Sequence, residues 1–230
     1  MGEPADRTRH DQPAASGPEE RPEIPRLDGM PTVLQPRRPE DFDLLYQGMP
    51  PWETGRPQPA LAALAETGAL RGRVLDVGCG TGEHALLAAS LGLEATGIVL
   101  AAAAIERAQR KAAQRGLKAR FVVGSVLDLP GLGGQFDTVL DSGLFHVLED
   151  DDRRVFVDGL RAVVPPGGRY FLLCFSDRQP GVFGPRRITQ DEIRAAFADG
   201  WRVDSIEPVL IDSAVQRGAA HAWLAAIART

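Results

Sequence analysis

The chain has few cysteines, no long apolar run and no clustered positive charge, and each absence removes a class of protein. Cys79 and Cys174, its two cysteines, cannot build a disulfide framework and lack the spacing of a metal site. No stretch reaches the roughly 18 apolar residues that cross a bilayer, and the N-terminus lacks the apolar core of a signal peptide. A cytoplasmic protein without membrane partners is therefore expected. Lys and Arg number 26 against 31 Asp and Glu, giving a net charge of -5 with no basic stripe, so nothing marks a nucleic-acid partner. What remains is 230 residues, 43% of them hydrophobic, enough for one sizeable core.

The composition is uneven along the chain. Residues 1–41 hold eight of the 18 prolines and few large apolar side chains, which predicts a mobile tail because so little surface can be buried. Residues 42–70 offer a short apolar face at Phe42–Tyr46, then Pro51-Trp52-Glu53-Thr54-Gly55-Arg56, then a helix from Pro59 to Leu70. Over 71–230, strands and helices alternate at the spacing of parallel βαβ units. The predicted strands are 74–77, 94–99, 119–123, 136–141, 169–175, 201–208 and 220–228; the last two follow each other without room for a helix. Helices are predicted at 82–91, 101–115, 151–164 and 189–198, the last opened by a capping box of Thr189 and Glu192.

Val74-Leu75-Asp76-Val77-Gly78-Cys79-Gly80-Thr81-Gly82-Glu83 carries the strongest signal. A buried strand turns sharply into a helix, and glycines at the corner permit positive φ and let a ligand approach the backbone. The free amides of the helix start add a positive dipole end. Glu83 occupies the place of the third glycine in a dinucleotide fingerprint, which argues against a Rossmann oxidoreductase. Cys79 reads as a small residue fitting a tight turn, although a helix N-terminus can lower a thiol pKa.

Asp76, Gly78, Gly80 and Gly82 resemble motif I of the class I methyltransferases that use S-adenosylmethionine. The resemblance implies a Rossmann-like α/β fold: a seven-stranded, mostly parallel sheet with an antiparallel edge strand and helices on both faces. It further implies S-adenosylmethionine as cofactor, with Asp76, Gly78, Cys79, Gly80 and Gly82 at its methionyl and ribose parts. The Trp52 segment looks like the lid element of the thiopurine, thiol, halide and tellurite methyltransferases, which implies that Tyr46, Trp52 and Arg56 cover a small-molecule substrate.

Two positions depart from the family pattern. Val99, followed by Leu100, stands where an acid usually accepts from the ribose hydroxyls, and Ser125, followed by Val126, stands where an acid usually takes the adenine amino group. Losing a charge-assisted hydrogen bond costs roughly 1.5–3 kcal/mol. The helix after Val99 also begins on four alanines, with no capping side chain, which costs about 1 kcal/mol. After the fourth strand, Asp141, Ser142, Phe145 and His146 resemble motif IV and its loop beside the transferable methyl. His146 is the candidate base, against a capping or buried histidine; Phe145 faces substrate or packs in the core. The reading is methyl transfer to a small-molecule sulfur, oxygen, nitrogen or halide. Its alternative is a methyltransferase-fold binding protein with a weakened cofactor site.

Overall fold

The computed structural model describes residues 1, 39–48, 50–181, 184–214 and 219–230. The tail expected over 1–41 therefore lies, for residues 2–38, outside the described residues. Described order begins with helix α1 (Pro39–Gln47), three residues ahead of the expected start, and α2 (Pro59–Glu66) stops short of Gly68.

The alternating segments form β1 (Arg73–Val77), α3 (Glu83–Ser90), β2 (Glu94–Val99), α4 (Ala102–Arg115), β3 (Ala119–Val123), β4 (Thr138–Ser142), α5 (Asp150–Val163), β5 (Arg169–Phe175), α6 (Gln190–Ala196), β6 (Trp201–Ile211) and β7 (Ala220–Arg229). Their order in the sheet is β3-β2-β1-β4-β5-β7-β6, with β1 to β5 parallel and β7 antiparallel to both its neighbours. The reversed strand is thus β7, one place in from the edge. Its side chains explain this: Ala222, Trp223, Ala225 and Ile227 are buried, whereas β6 carries Arg202, Asp204, Glu207 and Pro208 suited to a solvated edge.

Two apolar clusters sandwich the sheet. Phe156, Val157 and Leu160 of α5 and Ile193 of α6 pack on one face with Tyr170 and Trp223; Leu61 of α2 and Ala85 and Ala88 of α3 pack on the other with Val74 and Phe171. The capping box at Thr189 and Glu192 forms as predicted. Strand order reverses between β1 and β4, the topological switch point, so the crevice for a ligand opens beyond their carboxyl ends.

Candidate functional site

At the end of β1, Gly78, Gly80 and Gly82 all take positive φ. Gly80, at φ +50°, leaves no room for a side chain, since a Cβ would sit 2.8 Å from Tyr46 Oη. A Cβ on Gly82 would lie 2.6 Å from Phe121 Cε1 on β3, so this glycine allows helix and sheet to approach. Cys79 is buried and its thiol is pushed up by desolvation, with Asp76 adding; Sγ faces Gly97 of β2, so the small-residue reading holds.

Asp76 is only 1% exposed, and its Oδ2 accepts from Ala85 N at 3.0 Å. Burial, with nearby Asp141, pushes this carboxyl up to about 8. Among the described residues no Lys or Arg pairs with it. Asp141, at the end of β4, is fully buried and accepts from Leu144 N (2.8 Å), Phe145 N (3.1 Å) and Tyr170 Oη (2.7 Å). It shapes the turn after β4, and burial raises it to about 7. Ser142, beside it, is half-buried.

Val99 and Leu100 are half-buried at the end of β2, where Val99 O accepts from Gly124 N at 3.0 Å. Ser125 Oγ accepts from Leu127 N at 3.2 Å and so caps the 3-10 turn over Val126–Leu132; what it offers outward is one lone pair and its hydroxyl hydrogen. Val126 is buried, with its side chain in the core.

Phe145 and Arg56, named for the substrate or lid, both have partners within the protein. Phe145 is fully buried against Phe197 (6.0 Å) with the Arg153 guanidinium 4.6 Å over its ring, so core packing claims it. Arg56 pairs with Asp212 at 2.7 Å and ties the lid segment to the loop after β6. His146 is also held by the backbone. Its Nδ1 accepts from Phe175 N at 3.0 Å, and burial, with Arg187 and Arg153 nearby, pushes the imidazole down to about 3. A backbone amide donating to Nδ1 leaves the ring proton on Nε2, which lies beside Gly143. The imidazole is a neutral donor.

Tyr46 and Trp52 do come together above the glycine turn. Trp52 Nε1 donates to Tyr46 Oη at 2.8 Å and the rings meet edge to face at 6.3 Å; Tyr46 is buried and Trp52 remains 45% exposed. Sequence reasoning missed what holds them there. Glu53 Oε2 accepts from Thr81 Oγ1 at 2.5 Å, and Lys111 Nζ of α4 reaches Thr81 (2.5 Å), Glu83 (2.7 Å) and Glu53 (3.4 Å). Arg115 adds two bonds to Glu83, at 2.8 and 3.0 Å. Burial raises the Glu83 carboxyl, but Arg115 and Lys111 outweigh it and hold it below the usual range. Asp43 Oδ1 of α1 accepts from Ala103 N at 3.0 Å, giving α4 the cap its own sequence lacks. The Gln58 side chain bonds both N and O of Asp212 (2.7 and 3.1 Å), and Gln58 N donates to His84 Nε2 at 3.1 Å.

A family model described as a methyltransferase domain matches residues 74–168. The 2-heptyl-1-hydroxyquinolin-4(1H)-one methyltransferase of Mycobacteroides abscessus is 36% identical over 162 residues, which is 69% of this chain and 71% of that one. The chain belongs to the class I S-adenosylmethionine-dependent methyltransferases. Other relatives of this methyltransferase include probable thiol methyltransferase 2 of Arabidopsis thaliana, 30% identical over 130 residues, which is 56% of this chain and 58% of that one. A solved structure from work on the conversion of a disulfide bond into a thioacetal group during echinomycin biosynthesis is 39% identical, with a TM-score of 0.76 over 83% of this chain and 92% of that one.

S-adenosylmethionine is the cofactor of this methyltransferase, and the residues present fit it. Among the described residues the buried Asp76 carboxyl has no cationic partner, and S-adenosylmethionine carries both an ammonium and a sulfonium. Gly80 presents bare backbone beneath Tyr46.

Proposed function

We propose that this methyltransferase moves the methyl group of S-adenosylmethionine to a small-molecule nucleophile that reaches the site already reactive, a thiolate or an acidic ring hydroxyl. The observation that carries this is the state of His146, whose Nδ1 is occupied and whose imidazole stays neutral. Without a base after β4, the acceptor must ionise by its own chemistry, and alignment for in-line attack supplies most of the rate. The relatives agree in kind: one acts on a hydroxyquinolone, another is named for thiols, and a third concerns a disulfide.

When bound, the cofactor would supply an electrophilic methyl on a sulfonium, the acceptor's electron pair forming the new bond as the C–S pair stays with sulfur. The glycine turn from Gly78 to Gly82 cradles the methionyl part by its backbone, and Asp76 neutralises its ammonium. Val99, Leu100, Ser125 and Val126 border the ribose and adenine, where the grip is weaker for want of two acids. Asp141 holds the turn that presents Ser142 and the Nε2–H of His146 to the acceptor. Trp52 and Tyr46 close over both ligands and exclude water.

Initial rates on a panel of aryl thiols, N-hydroxyquinolones, phenols and aliphatic alcohols test the proposal. Rates should follow the ionised fraction of the acceptor, with alcohols unreactive. Alcohols or aliphatic amines as the best acceptors would overturn it.

A further inference from the structure

We propose that Asp43 and Glu53, two acids on the lid, are positioning residues of the cofactor site, so that lid docking and cofactor binding form one equilibrium. The proposal rests on placing the cofactor at the glycine turn.

The two acids act on different turns. Glu53 bonds Thr81, inside the glycine turn, and Lys111 bonds both, so the turn's geometry is fixed partly from the lid. This cluster is sheltered, with the Glu53 side chain 12% and that of Lys111 24% exposed, which makes each bond costlier to lose than a surface pair. Asp43 acts 60 residues away in sequence on Ala103 N, at the first turn of α4, directly after Val99 and Leu100. Helix α4 begins at Ala102 with Ala101 as an N-cap that offers no side chain. Its free amides are therefore organised only when α1 is in place. Thus the lid braces the methionyl end through one acid and the end where the ribose acid is missing through the other. Undocking exposes Tyr46 and releases both turns together. An apparent affinity scales with the fraction of molecules in the competent state, so weakening either anchor weakens cofactor binding without touching the cofactor.

The experiment compares S-adenosylhomocysteine binding by calorimetry in the native protein, Asp43→Ala, Glu53→Gln and the double variant. Amide hydrogen exchange over residues 42–58 and 101–105 is followed with and without ligand. Asp43→Asn and Lys111→Met serve as milder companions should either acid variant fail to fold. Each single change should weaken binding about 5- to 30-fold, saturating ligand should protect the lid amides in the native protein, and Asp43→Ala should lose protection at 101–105. Binding within twofold of native in the single variants, or lid amides indifferent to ligand, overturns the coupling. A native protein that binds no S-adenosylhomocysteine overturns the cofactor placement itself.

Discussion

Replacing Asp76 by Asn isolates the cost of a buried charge at the methionyl end. The amide keeps an oxygen to accept from Ala85 N, 3.0 Å away, and removes the ionisable group. The native carboxyl has its pKa raised from 3.8 to about 8, chiefly by desolvation. A raised acid pKa means the folded protein holds its proton while the unfolded chain has lost it, so folding stability falls as pH rises between those values. Between pH 5 and 7 the loss approaches about 1.4 kcal/mol per pH unit, about 3 kcal/mol in all. For a domain of this size that is a difference on the order of 6–12 °C in Tm. Thermal unfolding of the ligand-free protein, recorded from pH 5 to 8 by circular dichroism, should give a native Tm that declines relative to Asp76→Asn across this range. Titrating groups remote from Asp76 are common to both proteins and cancel in the difference, whereas nearby Asp141 is coupled to it and titrates in the same range. Saturating S-adenosylhomocysteine, whose ammonium stabilises the ionised form, should flatten the native profile. Parallel profiles for native and variant without ligand would refute the reasoning.

Gly82→Ala combines positive φ with a Cβ 2.6 Å from the Phe121 ring, and urea unfolding should report a loss of about 2–4 kcal/mol. Val99→Asp restores an acceptor at the end of β2 and should tighten S-adenosylhomocysteine about tenfold by calorimetry; an unchanged or weaker Kd argues against a ribose at this position. The pH profile of kcat/KM should lack an inflection from His146 between pH 5 and 8, since this imidazole titrates near 3. An inflection near 6.5 that disappears in His146→Gln contradicts the assignment.

The parallel strands were legible because apolar runs such as Val74–Val77 are bounded by turn residues at βαβ spacing, and the capping box at Thr189 is a local signal. The inner position of β7 was legible too, in the unbroken apolar run from Ala222 to Ala228 against the interspersed polar residues of β6. Motif I gave the cradle because its chemistry is local. The lid anchors were not legible in the same way. Asp43 meets Ala103, Glu53 meets Lys111 and Arg56 meets Asp212 across 60, 58 and 156 residues, and no local pattern encodes such partners. The four uncapped alanines of α4 were the one hint, since an orphan helix end asks for a partner. His146 shows the same limit: its residue type invites a base, whereas its protonation is set by burial and by an amide 29 residues away.

The inner place of β7 has a consequence for how the chain folds. Strand β5 pairs with β4 on one side, but its other edge, from Arg169 to Phe175, is filled only by residues 222–228. Until those arrive, Phe171 and Leu173 border an unpaired edge, the kind of surface on which chains join wrongly. The β6–β7 hairpin, paired over nearly its whole length, can form first by local closure and then dock as a unit. Loss of the β7 segment would therefore remove two ladders at once and leave the sheet ending in an apolar edge.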